Sequence, residues 1–251
     1  MREERAKGRQ RTDSTAVNQS SYTLEDQDRM SAARNYHAWQ SRLVRRELGR
    51  RVVEVGCGVG NFTGTLLECE AVLAVDREPE CIARLQRRYV GQPNLQAMVC
   101  DVLAPEFREL ASFRPDCCIA LNVLEHIEED GAALRAMGSV LTPGGVVVLM
   151  VPAFPALYGP IDRNLGHFRR YRRDSIRRLA EREGFGIRKL HYWNFAGFVG
   201  WWVNARVLKR EVQSERQIRM FDRCVVPLMS ARERVAQPPF GQSLLAVLEK
   251  P

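Results

Sequence analysis

A short glycine-rich stretch at residues 51–62 constrains this chain more than any other feature. An apolar run at 52–55 ends in glycines at 56, 58 and 60, and a segment that can start a helix follows. A strand, a glycine turn and a helix N-terminus form a place where backbone N–H groups approach a nucleotide-like ligand. The dinucleotide fingerprint needs its third glycine at position 61, where this chain has Asn61. The turn is preceded by an acid, Glu54.

Strand-like and helix-like segments alternate on both sides of this turn. We expect strands at 51–55, 72–76, 95–100, 116–121, 146–151, 186–193 and 243–249. We expect helices at 30–48, 61–69, 105–110, 130–141 and 174–183, with another that begins at Pro79. The β-α alternation up to residue 151 predicts an α/β fold with a doubly wound parallel sheet.

The remaining segments are appendages of this sheet. Residues 1–28 are polar and charged, and we interpret them as a flexible tail ahead of a single domain at 29–251. A loop at 152–173 and a partly helical insertion at 194–241 are expected to cover a substrate. Within the insertion, the apolar run at 195–203 suits buried core, a dimer contact, the wall of an apolar pocket or contact with a membrane surface.

Charge and cysteine usage limit the class of protein. The net charge is +8 and the sequence pI about 9.4, but nucleic-acid motifs are absent, so we expect no nucleic-acid partner. The seven cysteines show no zinc-like spacing and predict buried thiols in a reducing compartment. No apolar stretch reaches the length of a membrane span. We therefore expect a cytoplasmic protein with no transmembrane segment, a monomer or a homodimer, with peripheral membrane contact left open.

Five motifs in order carry a resemblance to a known family. They are the acid and glycines of 54–60, Asp76 after strand two, Asp101 after strand three, the run 122–127 after strand four, and Pro-Gly-Gly at 143–145. Together they resemble the class I S-adenosylmethionine-dependent methyltransferases of the small-molecule type, similar to methyltransferase types 11 and 12. The resemblance covers about 50–193 and extends to the last strand. It implies a Rossmann-like, seven-stranded, mostly parallel sheet with an antiparallel last strand, an N-terminal helix and a helical insertion before that strand.

The resemblance also implies a set of cofactor contacts. The glycines border the methionine and ribose of S-adenosylmethionine, Asp76 accepts hydrogen bonds from the ribose hydroxyls, and Asp101 lies at the adenine amino group. An isolated aspartate at either position would more simply be a turn residue. The residues expected at the cofactor are Glu54, Gly56, Cys57, Gly58, Gly60, Asp76, Arg77, Asp101, Val102, Asn122 and Val123.

Candidate catalytic and acceptor residues lie in three places. The run at 122–127 resembles a segment of ubiquinone-pathway O-methyltransferases, where a leading acid joins Glu and His around a divalent metal. Here the leading residue is Asn122, so we predict no metal and a packing role or a catalytic role for His126. His167 and Tyr171 lie one helical turn apart in the loop after strand five, and His167 is a candidate base, or else only bonds to the loop backbone. Tyr36, Trp39 and Tyr158 are candidate acceptor-binding residues.

We therefore predict methyl transfer from S-adenosylmethionine to oxygen, nitrogen or carbon of a small-molecule acceptor, with apolar or lipid-like compounds as candidates. Two alternatives remain at this point. One is a nicotinamide-dependent oxidoreductase, against which Asn61 argues. The other is a non-catalytic protein that binds the cofactor and serves as a partner subunit.

Overall fold

The structure, a computed structural model, describes residues 24–204, 208 and 214–251. Most of the predicted tail, residues 1–23, lies outside the described residues. Residues 24–28, which were also predicted to belong to the tail, are part of a helical segment at 24–30. The predicted helix at 30–48 is shorter in the structure, because the chain turns at 31–33 before the helix Arg34–Val44 begins.

A seven-stranded sheet forms the centre of the fold. Its strands are Arg51–Val55 (β1), Ala71–Asp76 (β2), Leu95–Val99 (β3), Cys117–Leu121 (β4), Val146–Pro152 (β5), Gly186–Trp193 (β6) and Ser243–Glu249 (β7). The strand order is β3-β2-β1-β4-β5-β7-β6, and β7 runs antiparallel to both of its neighbours. The predicted doubly wound, mostly parallel sheet with an antiparallel last strand is confirmed.

Helices cover both faces of the sheet. The α-helices are Arg34–Val44 (α1), Thr63–Leu66 (α2), Pro79–Arg88 (α3), Asp130–Val140 (α4), Pro160–Asn164 (α5), Arg173–Arg182 (α6), Phe195–Trp202 (α7), Glu215–Met220 (α8) and Val226–Val235 (α9). Single turns of 3-10 helix occur at Arg45–Glu47, Leu124–His126 and Pro155–Leu157, a longer one at Pro105–Phe113, and a π-helical turn at Phe221–Val225. Among the described residues, no helix is both long enough and apolar enough to cross a membrane.

Alternate residues of each strand supply two separate cores. Val53 and Val147 point to the face covered by α4 and α6, whereas Val52 and Val148 point to the face covered by α1 and the start of α9. Because each central strand is buried on both faces, its sequence is continuously apolar rather than alternating. β1, β2 and β4 are parallel neighbours, so their carboxyl ends lie together at one edge of the sheet. The candidate site lies at this edge.

Candidate functional site

The glycine turn after β1 is held by the acid that ends β2. The Gly58 N–H donates to Asp76 Oδ2 at 2.8 Å, and the Glu78 N–H donates to Asp76 Oδ1 at 3.0 Å. Gly56, Gly58 and Gly60 all have positive φ, between 54° and 82°. Residues with a Cβ avoid this region, so the turn depends on glycine. Asp76 therefore makes backbone hydrogen bonds like those of an ordinary aspartate in a turn. Its carboxylate oxygens have further lone pairs that can accept hydrogen bonds from a ligand.

The helical segment at 24–30 lies over this turn. The Val59 N–H donates to Gln27 Oε1 at 2.9 Å, and Asn61 Nδ2 donates to the Gln27 carbonyl at 2.8 Å. Asp28 also forms a 2.9 Å ion pair with Arg84 of α3. This cover could not be predicted from the sequence, because the segment is polar, short and continuous with the predicted tail.

Glu54 lies beneath the glycine turn as a buried carboxyl. It is only 5% exposed, and Thr63 Oγ1, at the first residue of α2, donates to Glu54 Oε2 at 2.6 Å. Burial raises the pKa of Glu54 to about 8; the hydrogen bond from Thr63 opposes this shift and the charge of Asp76 adds to it. Glu54 therefore ties the end of β1 to α2 as a group that is mainly protonated at neutral pH.

A cavity of about 590 Å³ extends from the glycine turn to the insertion before β7. Eight of the predicted site residues line it: Tyr36, Glu54, Gly56, Cys57, Gly58, Asn122, His126 and His167. The others do not line it: Trp39, Gly60, Asp76, Arg77, Asp101, Val102, Val123, Tyr158 and Tyr171. Asn122 ends β4 in the left-handed region, with φ of 56°. Residues other than glycine that adopt this conformation often lie at functional sites.

Three side chains gather in the wall of this cavity: Glu125, His126 and His167. Their ligating atoms all lie within 4.8 Å of one another, and the two imidazole rings meet edge to face with centroids 4.6 Å apart. The Phe168 N–H donates to the Glu125 carbonyl at 2.8 Å, which joins the loop after β5 to the turn after β4. This hydrogen bond explains why residues about forty positions apart share one site. We call these three side chains the polar cluster.

Glu125 is the most deeply buried member of the polar cluster. The residue is 0% exposed, and within the described part of the chain neither carboxylate oxygen has a hydrogen-bond partner on another residue. Burial raises the pKa of Glu125 to about 7, with His167 opposing the shift. Burial also lowers the pKa of His126 to about 3, so this imidazole is neutral. The sequence analysis had placed Glu125 in a motif without assigning it a role.

His167 is held by neighbours outside the polar cluster. His167 Nδ1 lies 2.8 Å from Asp162 Oδ1, and Arg170 Nε donates to the same oxygen at 2.8 Å. Asp162 is fully buried, and its pKa is lowered: burial alone would raise it, but His167 and Arg170 outweigh that effect. The lowered pKa keeps Asp162 ionised as the acceptor of both bonds. His126 is held against His167 through the edge-to-face contact of the two rings.

Three sequence predictions require correction at this site. Tyr171 is 3% exposed, and its hydroxyl donates to the Leu124 carbonyl at 3.3 Å and lies 3.1 Å from Asp130, so it faces the core rather than a substrate. Burial raises the pKa of Tyr171 far above its usual range. Trp39 packs edge to face on Trp193 in the core and does not reach the cavity.

Tyr158 is the third correction. Its hydroxyl donates to the His167 carbonyl at 2.7 Å, so the side chain supports the loop from outside the cavity. The phenol of Tyr158 is therefore held by the loop backbone and is not part of the cavity wall.

Three further predicted residues lie at the carboxyl ends of the strands. Asp101 Oδ1 accepts from the Leu103 N–H at 2.8 Å, a local turn bond, and Val102 is buried beside it. Val123 packs against the position that a Cβ on Gly56 would take. These residues follow β3 and β4, at the same edge as Asp76.

The insertion closes the other side of the cavity. Asp222 accepts from the Tyr36 N–H at 2.8 Å and from the Asn35 N–H at 3.3 Å, which satisfies the first N–H groups of α1. Glu233 accepts from the N–H groups of Asn194 and Phe195 at the start of α7. Apolar side chains between these anchors line the cavity: Trp201, Ile218, Phe221 and Val226. The prediction that the insertion is partly helical is confirmed.

Comparison with known protein families identifies the family of this chain. The family model of the methyltransferase domain matches residues 26–213, which contain the glycine turn and the polar cluster. The chain is a class I S-adenosylmethionine-dependent methyltransferase. S-adenosylmethionine is its cofactor. The oxidoreductase and non-catalytic alternatives are not supported by this match.

Individual relatives of this methyltransferase match over shorter stretches. A ubiquinone biosynthesis O-methyltransferase of Xanthomonas campestris pv. campestris is 31% identical over 105 residues, which are 40% of this chain and 42% of that protein. The chain spans about half the length, or less, of the curated relatives it matches.

Solved structures resemble the methyltransferase over most of its length. A putative methyltransferase of Haloferax volcanii, solved in complex with the Trm112 activator, has a TM-score of 0.63 at 17% identity and covers 93% of this chain and 98% of its own. Phosphoethanolamine N-methyltransferase 2 of Haemonchus contortus, solved with S-adenosyl-L-methionine, has a TM-score of 0.57 at 17% identity. The match covers 84% of this chain and 52% of that protein. At this identity the likeness concerns the fold alone.

Proposed function

We propose that this methyltransferase transfers the methyl group of S-adenosylmethionine to a hydroxyl oxygen of an apolar small molecule. The observation that carries the proposal is the placement of the polar cluster in the same cavity as the glycine turn. The cofactor at the turn and an acceptor at the cluster would share one space. Holding donor and acceptor together supplies much of the acceleration of such an in-line displacement.

The cofactor is proposed to cross the carboxyl ends of β1, β2 and β4. Gly56 and Gly58 border its methionine portion, Asp76 accepts hydrogen bonds from the ribose hydroxyls, and Asp101 accepts from the adenine amino group. In support, the glycines and Asp76 meet at one edge of the sheet, where ligands of open α/β sheets bind. The remaining predicted cofactor residues are proposed to complete this surface: Glu54, Cys57, Gly60, Arg77, Val102, Asn122 and Val123.

The acceptor is proposed to be largely apolar with one hydroxyl. The wall contributed by α1 and the insertion carries large apolar side chains, including Tyr36, Trp201 and Phe221, beside several polar ones. A hydroxyl must lose its proton as the methyl group arrives. The polar cluster is the part of the wall that can bind a hydroxyl and stabilise its deprotonated form, with His126 and His167 as the catalytic candidates. The O-methyltransferase name of the Xanthomonas relative agrees with oxygen as the methylated atom.

Release of S-adenosylhomocysteine tests the proposal. The purified chain is incubated with S-adenosylmethionine and a panel of aromatic and prenylated compounds that carry a hydroxyl, an amine or neither group. Hydroxylated members are expected to be turned over, and His167→Ala is expected to lower that rate at least tenfold. His191→Ala, which changes a histidine outside the cavity, serves as the matched control. Turnover of amines alone, or equal rates in His167→Ala and wild type, would contradict the proposal.

A further inference from the structure

We propose that Glu125, His126 and His167 bind one divalent transition-metal ion in the wall of the cavity. The sequence predicted no metal, because Asn122 stands where a charged ligand was sought. The structure supplies a different third ligand, His167, from the loop after β5. The three ligating atoms come from two separate loops and lie within 4.8 Å of one another.

The carboxylate of Glu125 is the first reason to infer a bound cation. The residue is fully buried, and within the described residues both oxygens lack a partner apart from the residue's own backbone N–H. A buried carboxyl without hydrogen bonds is costly, and buried charges are normally paired or coordinate metals. Arg170 is nearby, but its Nε donates to Asp162 and its Nη1 to the Ala153 carbonyl. A cation at the polar cluster would satisfy Glu125.

The orientation of the two histidines is the second reason. His167 directs Nδ1 at the buried Asp162, so its Nε2 is left as the free nitrogen. Ligating histidines usually donate their other N–H to a carboxylate or a backbone carbonyl, which fixes the tautomer and the ring direction. His167 has this arrangement, with Asp162 as the carboxylate. The His126 ring meets the His167 ring edge to face, with centroids 4.6 Å apart, so its ligating nitrogen lies in the same cluster.

The donor set indicates which cation would bind. Two imidazole nitrogens and one carboxylate suit Zn²⁺, Fe²⁺ or Co²⁺, whereas Mg²⁺ and Ca²⁺ prefer oxygen ligands. A site with three protein ligands leaves positions for water or for an acceptor oxygen. The alternative partner for Glu125 is an ammonium group on the acceptor. With that partner, the chain would bind no metal ion in the absence of acceptor.

The role of this metal rests on the proposed function, whereas its binding does not. The ion would coordinate the acceptor hydroxyl and lower its pKa, so that the proton leaves to solvent. The acceptor oxygen then attacks the methyl carbon of S-adenosylmethionine. The O–CH₃ bond forms as the C–S bond breaks, and the electron pair of that bond goes to sulfur. The products are the methyl ether, S-adenosylhomocysteine and the released proton.

Metal binding is measured without cofactor or acceptor. The full chain is treated with a chelator, dialysed and titrated with Co²⁺ alone, and binding is followed by calorimetry and by the visible d–d absorption of bound Co²⁺. One ion per chain is expected. Glu125→Gln, His126→Ala and His167→Ala are each expected to weaken binding at least tenfold, and Asp162→Asn by roughly 10- to 100-fold through His167.

Two control variants distinguish this site from others. Glu80→Gln removes an exposed carboxylate, and Cys224→Ser removes an exposed thiol, and both should bind Co²⁺ like the wild type. Absence of Co²⁺ binding to the wild type, or unchanged binding in Glu125→Gln, would overturn the metal site. Because these readouts do not involve turnover, failure of the metal site and failure of hydroxyl methylation give different results.

Discussion

Glu54 predicts an unusual pH dependence of stability. Its folded pKa is about 8, raised by burial from an ordinary value of 4.5. Between these two values the folded state holds a proton that the unfolded state releases, so stability falls as pH rises. For a shift of this size, the free energy of unfolding should decrease by about 3–4 kcal/mol between pH 5 and pH 8 through this one group.

The variant Glu54→Gln isolates that contribution. The amide does not ionise and can still accept the hydrogen bond from Thr63, so its stability should lack this fall. Urea unfolding of both proteins, without cofactor, is followed by circular dichroism at several pH values. Every other titrating group is shared, so the difference between the two free energies of unfolding reports Glu54. That difference should move by about 3–4 kcal/mol in favour of the variant from pH 5 to pH 8.

A matched control and a direct measurement make the result decisive. Glu80 is fully exposed, and its hydrogen bond to Arg84 lowers its pKa, so Glu80→Gln should show a flat difference over this range. The pKa of Glu54 can also be read from the ¹³C shift of its carboxyl in the folded protein. A constant difference for Glu54→Gln, together with a carboxyl that titrates near 4.5, would refute the reasoning from burial.

Three other predictions concern the site and its supports. Asp76→Ala should weaken S-adenosylmethionine binding by roughly 100-fold or more in calorimetry, because two charge-assisted hydrogen bonds are lost, while Glu80→Gln leaves the affinity unchanged. Asp162→Asn should lower the turnover number more than it raises KM, because His167 loses its orientation; a pure KM effect would speak against that positioning role. Asp222→Ala should destabilise the protein by about 1–3 kcal/mol and expose the insertion to proteolysis, since the first N–H groups of α1 lose their acceptor; unchanged protection would contradict this contact.

The strands could be predicted from the sequence because burial on both faces leaves a continuous apolar run. β1 and β7 were predicted with their observed bounds, and β4 within one residue. The helices of the insertion were harder to predict. They are positioned by contacts such as that of Asp222 with α1, which joins residues nearly two hundred positions apart. Local patterns carry no information about such contacts.

The candidate site was predictable only where it depends on local sequence. The glycine turn has a fixed spacing and could be recognised directly. Helical periodicity placed Tyr36 and Trp39 together but could not decide which faces the cavity, and the structure puts Trp39 against Trp193. The meeting of Glu125 with His167 depends on how the loops after β4 and β5 fold together, which no spacing along the chain specifies.

The central claim is that a hydroxyl oxygen receives the methyl group in the cavity shared by the glycine turn and the polar cluster. Its most direct test is to incubate the protein with S-adenosylmethionine labelled with ¹³C in the methyl group and the same acceptor panel. The labelled product is then examined by NMR, in the wild type and in Glu125→Gln. We predict a methoxy signal from hydroxylated acceptors that falls at least tenfold in the variant. Label attached to nitrogen or carbon, or a methoxy signal unchanged in Glu125→Gln, would contradict the account.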